Sequence, residues 1–518
     1  MEDIKILWAD DEIELLRPQM VFLEKKGYSV ETVTNGHDAL EEIDEQEFDI
    51  VFLDESMPGL TGLETLEEIK KKQPNLPVVM ITKNEAEDIM EDAIGAQISD
   101  YLIKPVNPHQ ILLSVKKILD NKRLVQERTS SAYQQEFRKI LMDINSGLDH
   151  EGWVDIYQKI IDWELKIDAS KSEGMQEILE MQKKEANTEF SKYVVKNYES
   201  WIQSEGQEGP VFSHQLMRSK IFPHLSDDRP SIVLLLDNCR FDQWKVIEPV
   251  INELFKVEEE DYFYSILPTS TQYSRNAIFA GLMPLDIQKR FGDLWLNDND
   301  NGGKNNHEHE FFSDLVGRTF RKPIKEGYLK VTNTDKAKQM QDQILNYLNN
   351  DVTVIVYNFI DMLSHARTEM EVLKELAGDE TAYRSLTRSW FEHSPLYSAL
   401  EKLADREVQL FVTTDHGTIR VGTPSKVVGN RETTTNLRYK MGRNLQYERK
   451  DVLDFRDPSK VGLPSPNISS SYIFATEDKY FLYPNNYNYY NNYYRDTFQH
   501  GGISLEEMIC PIIRLKNK

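Results

Sequence analysis

Apolar runs of strand length alternate with amphipathic stretches over the first quarter of the chain. The runs are Ile4–Ala9, Ile50–Leu53 and Val78–Ile81, and between them Thr65–Lys72 and Glu85–Ile94 carry helical spacing. Strands alternating with helices predict a parallel, doubly wound sheet, whose sites collect at the carboxyl ends of its strands. From Pro108 a helix runs without a breaker to about Arg128, and no strand signal follows before about Ser204. Within that stretch Phe137, Ile140, Leu141, Ile144 and Leu148 keep helical spacing, as do Trp153, Ile156, Tyr157, Ile160 and Ile161, then Phe190, Tyr193, Val194 and Trp201. Gly147 and Gly174 punctuate them. One amphipathic helix cannot bury its stripe alone, so the region reads as a bundle of about three helices, with dimerisation through one of them as the alternative.

Gln203–Pro210 reads as a linker. Beyond it the α/β pattern returns: Ile232–Leu236, Val352–Phe359 and Val408–Thr413 each lead into an aspartate, namely Asp237, Asp361 and Asp415. Asn297–Glu310 and the tyrosine-rich Asn485–Tyr494 read as loops, the second as a hairpin that could otherwise stack on bases. The expected division is a parallel α/β domain over 1–120, a helical bundle linker over 121–204 and a second α/β domain over 205–518.

Composition narrows the function class. The 518 residues are 40% hydrophobic and 28% charged, an ordinary globular balance. No apolar run approaches the ~20 residues that span a bilayer, the start lacks the pattern of a signal peptide, and the two cysteines cannot build a disulfide framework. These features predict a cytoplasmic protein with no membrane partner. A net charge of -25 repels nucleic-acid phosphates, so direct DNA binding is not expected. A small anion held by metal ions is compatible with that charge.

Asp10-Asp11, Asp54, Thr82 and Lys104-Pro105 each fall just past a strand signal. A carboxylate that accepts a phosphoryl group needs a divalent cation to offset the charge on both partners. Asp54 is the natural acceptor, Asp10 and Asp11 supply further oxygen ligands, and Lys104 and the Thr82 hydroxyl can meet the phosphoryl oxygens. A single aspartate of this kind would read as a loop residue; the five positions together do not. The segments LWADDE, VFLDESMPG, VMITKNEA and DYLIKP resemble two-component receiver domains, which have a flavodoxin-like fold. The resemblance implies one Mg²⁺ held by Asp11, Asp54 and the Ser56 carbonyl with Asp10 acting through water, phosphorylation of Asp54, a switch pair Thr82 and Tyr101, and a cis Lys104-Pro105 peptide. An aromatic in a strand such as Tyr101 is otherwise a core residue.

A second set is Asp237, Thr271, Asp361, His365, Asp415, His416 and His500. Mixed carboxylate and imidazole donors suit Zn²⁺ or a similar ion. Asp361 and His365 stand four apart, one helical turn, and can reach one ion; the glycines after His500 let backbone approach a site. The set divides into two coordination spheres, and two ions about 4 Å apart clamp the attacking and leaving oxygens of a phosphoryl transfer. Thr271 opens a helix after PTS, where an anion is favoured and a metal-activated hydroxyl is a competent nucleophile.

LLLDNCRFD, LPTSTQYSRNAIFAGLMP, NFIDMLSHA, FVTTDHGT and QHGG resemble the alkaline phosphatase superfamily in its nucleotide pyrophosphatase/phosphodiesterase-like and PglZ branches. That resemblance implies an alkaline-phosphatase-like α/β domain with Thr271, not Thr269, as nucleophile. It implies one Zn²⁺ among Asp237, Thr271, Asp415 and His416 and a second among Asp361, His365 and His500. Receiver, helical linker and PglZ-type domain in this order resemble the PorX-like response regulators. That family implies regulation of type IX secretion and gliding, a PorY-like cognate histidine kinase, a phosphorylation-dependent homodimer and phosphodiesterase activity on nucleotide-like substrates. The rival expectation is a catalytically silent metal-binding domain that docks a partner protein when Asp54 is phosphorylated.

The remaining residues read more plainly. His307-Glu308-His309 sits among Asn, Asp and Gly and is expected in a solvated loop. Arg240, Arg275 and Asn276 flank Asp237 and Thr271 and could meet a substrate phosphate, or serve at the surface or core edge. His214 and His393 have no evident partner.

Overall fold

The computed structural model describes residues 4–83, 98–170, 174–204, 209–226, 228–369, 378–467 and 469–518, and within them leaves aside the side chains of 120–128 and 367–369. The helical pattern Glu85–Ile94 lies outside the described residues. Two compact units result, Met1–Ala132 and Tyr133–Lys518.

The first unit is a five-stranded parallel sheet in the order β2-β1-β3-β4-β5, with β1 Ile4–Ala9, β2 Tyr28–Val33, β3 Ile50–Asp54, β4 Val78–Thr82 and β5 Asp100–Ile103. Strand β3 is buried at every position, whereas β2 and β5, at the two edges, are largely half-exposed. Helices α1 Arg17–Glu24, α2 Gly36–Glu45 and α3 Gly62–Lys72 connect the strands. Helix α3 starts on a capping box in which the Thr61 hydroxyl accepts the Glu64 N–H and the Glu64 carboxylate accepts the Thr61 N–H. The sheet separates two apolar clusters, one holding Leu7, Val51 and Leu66, the other Trp8, Phe52 and Ile111. This is the flavodoxin-like fold.

Helix α4 runs unbroken over Pro108–Asn145, belonging to the first unit as far as Ala132 and to the second from Tyr133. The separate helices expected to either side of Arg128 are therefore one, because no Gly or Pro falls between them. Helices α5 His150–Ser170 and α6 Met175–Gln203 follow, after Gly147 and Gly174, both at positive φ. Their apolar stripes close on the second α/β domain as well as on each other. Trp153 meets Phe190 at 5.5 Å, Tyr157 meets Phe241 at 5.9 Å, and Phe190 meets Tyr264 at 6.0 Å between ring centroids. One apolar cluster runs from Tyr133 to Leu515.

The second unit is built on a six-stranded sheet in the order β7-β18-β10-β6-β9-β8, with β6 Ser231–Leu236, β7 Phe255–Tyr264, β8 Glu326–Val331, β9 Val352–Tyr357, β10 Gln409–Thr413 and β18 Ile509–Asn517. Strands β8, β9, β6 and β10 are parallel, while β18 is antiparallel to both β10 and β7. Helix α7 Phe241–Leu254 follows β6, and α8 Thr271–Ala280 follows β7. Between β10 and β18 the chain forms small sheets from β11 Ile419–Arg420, β12 Thr423–Lys426, β13 Tyr439–Arg443, β14 Val452–Phe455, β15 Ser470–Ala475, β16 Lys479–Leu482 and β17 Phe498–Gln499. The expected tyrosine-rich loop is a helix, Tyr487–Tyr494, whose Tyr487 and Tyr494 pack on Ile419, Val421 and Leu482. Tyrosines spaced to present one apolar side gain more by packing than by forming a hairpin turn.

Candidate functional site

In the first unit Asp54 ends β3 and Asp10 follows β1, so two adjacent parallel strands deliver both carboxylates to one edge. Ligand atoms of Asp10, Asp11 and Asp54 lie within 4.8 Å of one another. Lys104 Nζ stands 2.7 Å from Asp54 Oδ1 and 2.8 Å from Asp10 Oδ2. Burial raises the Asp54 carboxyl above its ordinary value, Lys104 pulls it down, and Asp10 and Asp11 push it further up. Burial would lower Lys104, but hydrogen bonds to Asp10 and Asp54 outweigh it and leave the ammonium raised. A divalent cation suits the excess of carboxylate here. The Thr82 hydroxyl ends β4 and donates to Glu55. Ser56 is exposed in the loop after Asp54, and the Lys104-Pro105 peptide is cis. Tyr101 is 40% exposed on the edge strand and is not a core residue.

In the second unit the parallel neighbours β10, β6 and β9 end side by side. Asp415 and Asp237 lie just past their strands, and Asp361 lies in the helix Phe359–Glu369 that follows β9. Ligand atoms of Asp237, Asp415 and His416 gather within 4.8 Å of one another, and so do those of Asp361, His365 and His500. Thr271 opens α8 and its Oγ1 lies 3.0 Å from His416 Nε2 and 3.4 Å from Asp237 Oδ1. The His416 and His500 rings stack at 4.4 Å, which joins the two groups. Thr269 is spent on structure: its hydroxyl donates to the Gly502 carbonyl and accepts the Gly501 N–H.

The donor set fits divalent cations on three counts. Burial, and then repulsion from Asp237, raises both Asp361 and Asp415, while the buried Arg275 opposes both shifts. Asp415 Oδ2 is buried and accepts no hydrogen bond among the described residues. Both imidazoles donate through Nδ1 to a carbonyl, His416 to Gly417 at 3.1 Å and His500 to Thr269 at 3.2 Å, which makes each Nε2 the lone-pair nitrogen that an ion ligand needs. Burial lowers His416 to about 4, and burial with the neighbouring histidines lowers His500 well below its ordinary value, so both rings are neutral at pH 7.

Comparison with known families covers the chain in three parts. Residues 6–116 match the family described as response regulator receiver domain, 123–202 the PorX response regulator linker domain, and 216–515 the BREX system PglZ alkaline phosphatase-like domain. The chain belongs to the PglZ alkaline phosphatase-like family, in a PorX-like response-regulator architecture. Among curated proteins it is 36% identical over 146 residues to a transcriptional regulatory protein CpxR homolog of Haemophilus influenzae, covering 28% of this chain and 63% of that protein. It is 32% identical over 117 residues to ResD of Bacillus subtilis, covering 23% of this chain and 48% of that protein. The chain thus spans less than two thirds of the length of these relatives. Among solved structures, a CheY-like receiver domain from Methanospirillum hungatei JF-1 shares 29% identity over 23% of this chain and 96% of that one, with a TM-score of 0.23.

Around the PglZ-domain centre, several contributors were not legible as such. Asn238, left-handed at φ 64, gives its N–H to Asp415 Oδ1 at 3.2 Å and its side-chain amide to Asp361 Oδ1 at 3.3 Å. The Asp-Asn pair at a strand end was the available signal, since Asn tolerates that conformation. Glu308 is not in a solvated loop. It is buried at the start of the helix Glu308–Thr319, where it takes Arg275, the Tyr328 hydroxyl and Lys330. Arg275 is fully buried between Glu308 and Asp237, and Arg240 between Asp242 and Glu380, so neither is at the surface. Asn276 donates to Gln272 and Lys304 carbonyls. A further acidic group, Glu164, Asp242 and Glu380, is already matched by Lys183, Arg240 and Arg384. Among the described residues no helix is long and apolar enough to cross a membrane.

Proposed function

We propose that this chain is a two-component response regulator, phosphorylated on Asp54 with one Mg²⁺ at Asp10, Asp11, Asp54 and the Ser56 carbonyl, whose PglZ domain is a zinc-dependent phosphodiesterase acting on nucleotide-like substrates. Asp237, Thr271, Asp415 and His416 would hold one Zn²⁺, and Asp361, His365 and His500 the other. The observation that supports the reading is the Thr271 hydroxyl, half-buried at a helix N-terminus, 3.0 Å from His416 Nε2 and 3.4 Å from Asp237 Oδ1. Bound divalent ions supply Lewis acidity and lower the pKa of a nearby hydroxyl or water. Thr271 Oγ1 forms the new bond to phosphorus and gives up its proton to solvent, while the alcohol leaves with its bonding pair. Water then cleaves the phosphothreonine, restoring Thr271 and releasing a phosphomonoester. The first turn of α8 favours the anion throughout. The receiver domain implies a cognate kinase; a PorY-like kinase, a phosphorylation-dependent homodimer through Thr82 and Tyr101, and a part in type IX secretion and gliding complete the proposal. Thr271→Val should abolish hydrolysis of bis(p-nitrophenyl) phosphate while the purified chain keeps its zinc by metal analysis. Hydrolysis at the wild-type rate in that variant, or zinc retained with no hydrolysis in the wild type, would count against it.

A further inference from the structure

Helix α6 buries polar side chains on its apolar face. Asn187, Ser191 and Tyr198 share a stripe with Phe190, Val194 and Trp201, and all six are buried. A polar group there is costly unless it is bonded. Each of the three reaches one of the two segments that carry the metal centre, and the Ser191 hydroxyl also accepts the Glu477 N–H at 3.1 Å. The Tyr198 hydroxyl accepts the Leu267 N–H at 2.8 Å, in the segment that leads into Thr271. Asn187 Oδ1 accepts the Leu505 N–H at 2.8 Å, and its amide donates to Glu506 at 3.1 Å. The Ser191 hydroxyl donates to the Ile503 carbonyl at 3.4 Å, just past His500.

The two segments are also latched to each other. Thr269 bonds Gly502 at 2.9 Å and Gly501 at 3.1 Å through its hydroxyl, and His500 at 3.2 Å through its carbonyl. The nucleophile and the QHGG histidine therefore move as one piece, and α6 fastens that piece on both sides.

We propose that α6, a helix of the PorX-type linker, is the positioning element of the metal centre. Tyr198, Asn187 and Ser191 set where the Thr271 hydroxyl and the His500 ring stand relative to His416. A small shift of this helix then changes hydrolysis without contact to any metal ligand. Packed interiors transmit such shifts because they have little free volume, and a displacement of about 1 Å at a reacting group can cost about 100-fold in rate. The helix also follows the receiver in the chain, as a relay to the output domain requires. The proposal rests on the hydrolase reading for its kinetic consequence alone.

The test uses the full-length, metal-loaded chain with Tyr198→Phe, Asn187→Ala and Val194→Ala, the last removing apolar contact from the same stripe without a bond to either segment. Amide hydrogen exchange is followed by mass spectrometry in peptides covering 265–275 and 500–508, alongside kcat and KM for bis(p-nitrophenyl) phosphate. Tyr198→Phe and Asn187→Ala should speed exchange in those peptides and lower kcat about tenfold with KM and zinc content unchanged. Val194→Ala should lower Tm without either effect. Unchanged exchange in both peptides, unchanged kcat in an active chain, or equal effects from Val194→Ala would overturn the proposal. If the wild type hydrolyses nothing, the hydrolase reading fails and the exchange data alone decide the positioning role.

Discussion

At the scale of residues, the positions that converge were those whose chemistry follows an apolar run. Asp10, Asp54, Asp237 and Asp415 sit at or just past the ends of strands, and the fold of a parallel sheet brings strand ends together. What could not be read was which charges lie inside. Glu308 reads as solvated and Arg275 as a phosphate contact or a surface or core-edge residue, yet both are 1% exposed and hold the buried Asp237 carboxylate in place. Burial is decided by packing partners distant in the chain, such as Tyr328 and Lys330. Removing one partner from such a group leaves an uncompensated buried charge, at a cost of about 3–5 kcal/mol. Arg275→Met should therefore lower stability to denaturant by that amount, in contrast to a neutral result for exposed Arg456→Met. A variant within about 0.5 kcal/mol of wild type would contradict a buried Asp237–Arg275–Glu308 chain.

At the scale of elements, long periodic helices and fully buried strands were legible, and edge elements were not. Strand β6 is buried throughout and reads as a continuous apolar run, whereas β7, FKVEEEDYFY, is mostly half-exposed and carries no such run. The Tyr487–Tyr494 helix was hidden for a related reason, since its apolar side comes from tyrosines rather than aliphatic residues. Elements of the second unit are also tied by charge. Arg384, on the helix Glu380–Glu392, reaches Glu164 on α5 at 2.7 Å and Asp242 on α7 at 3.0 Å. Burial alone would raise Asp242, but Arg240 and Arg384 outweigh it and hold its carboxyl below the ordinary carboxylate value. A depressed carboxylate contributes stability above its unfolded pKa, about 4, and loses it as pH falls towards the folded value. Asp242→Asn should therefore be destabilised by about 3 kcal/mol near neutrality, with the gap to wild type closing below about pH 4 in urea titrations. A gap that stays constant with pH would show that the ion pairs contribute nothing.

At the scale of the whole molecule, the receiver site and the PglZ centre are each legible from their own motifs, and the three-part family match orders them along one chain. The linker differs in kind: its function lies in polar side chains on a buried helical face, which read as ordinary breaks in an apolar stripe. Residues such as Tyr198 acquire meaning only when Leu267 is seen opposite. The most direct measurement is hydrolysis of an aryl phosphodiester by the zinc-loaded full-length chain, with and without beryllofluoride and Mg²⁺, for the wild type and Asp54→Asn. A zinc-dependent rate that shifts on adding beryllofluoride to the wild type, and stays fixed in Asp54→Asn, is the predicted result. No hydrolysis, or a wild-type rate indifferent to beryllofluoride once its binding at Asp54 is confirmed, would contradict a phosphorylation-controlled hydrolase.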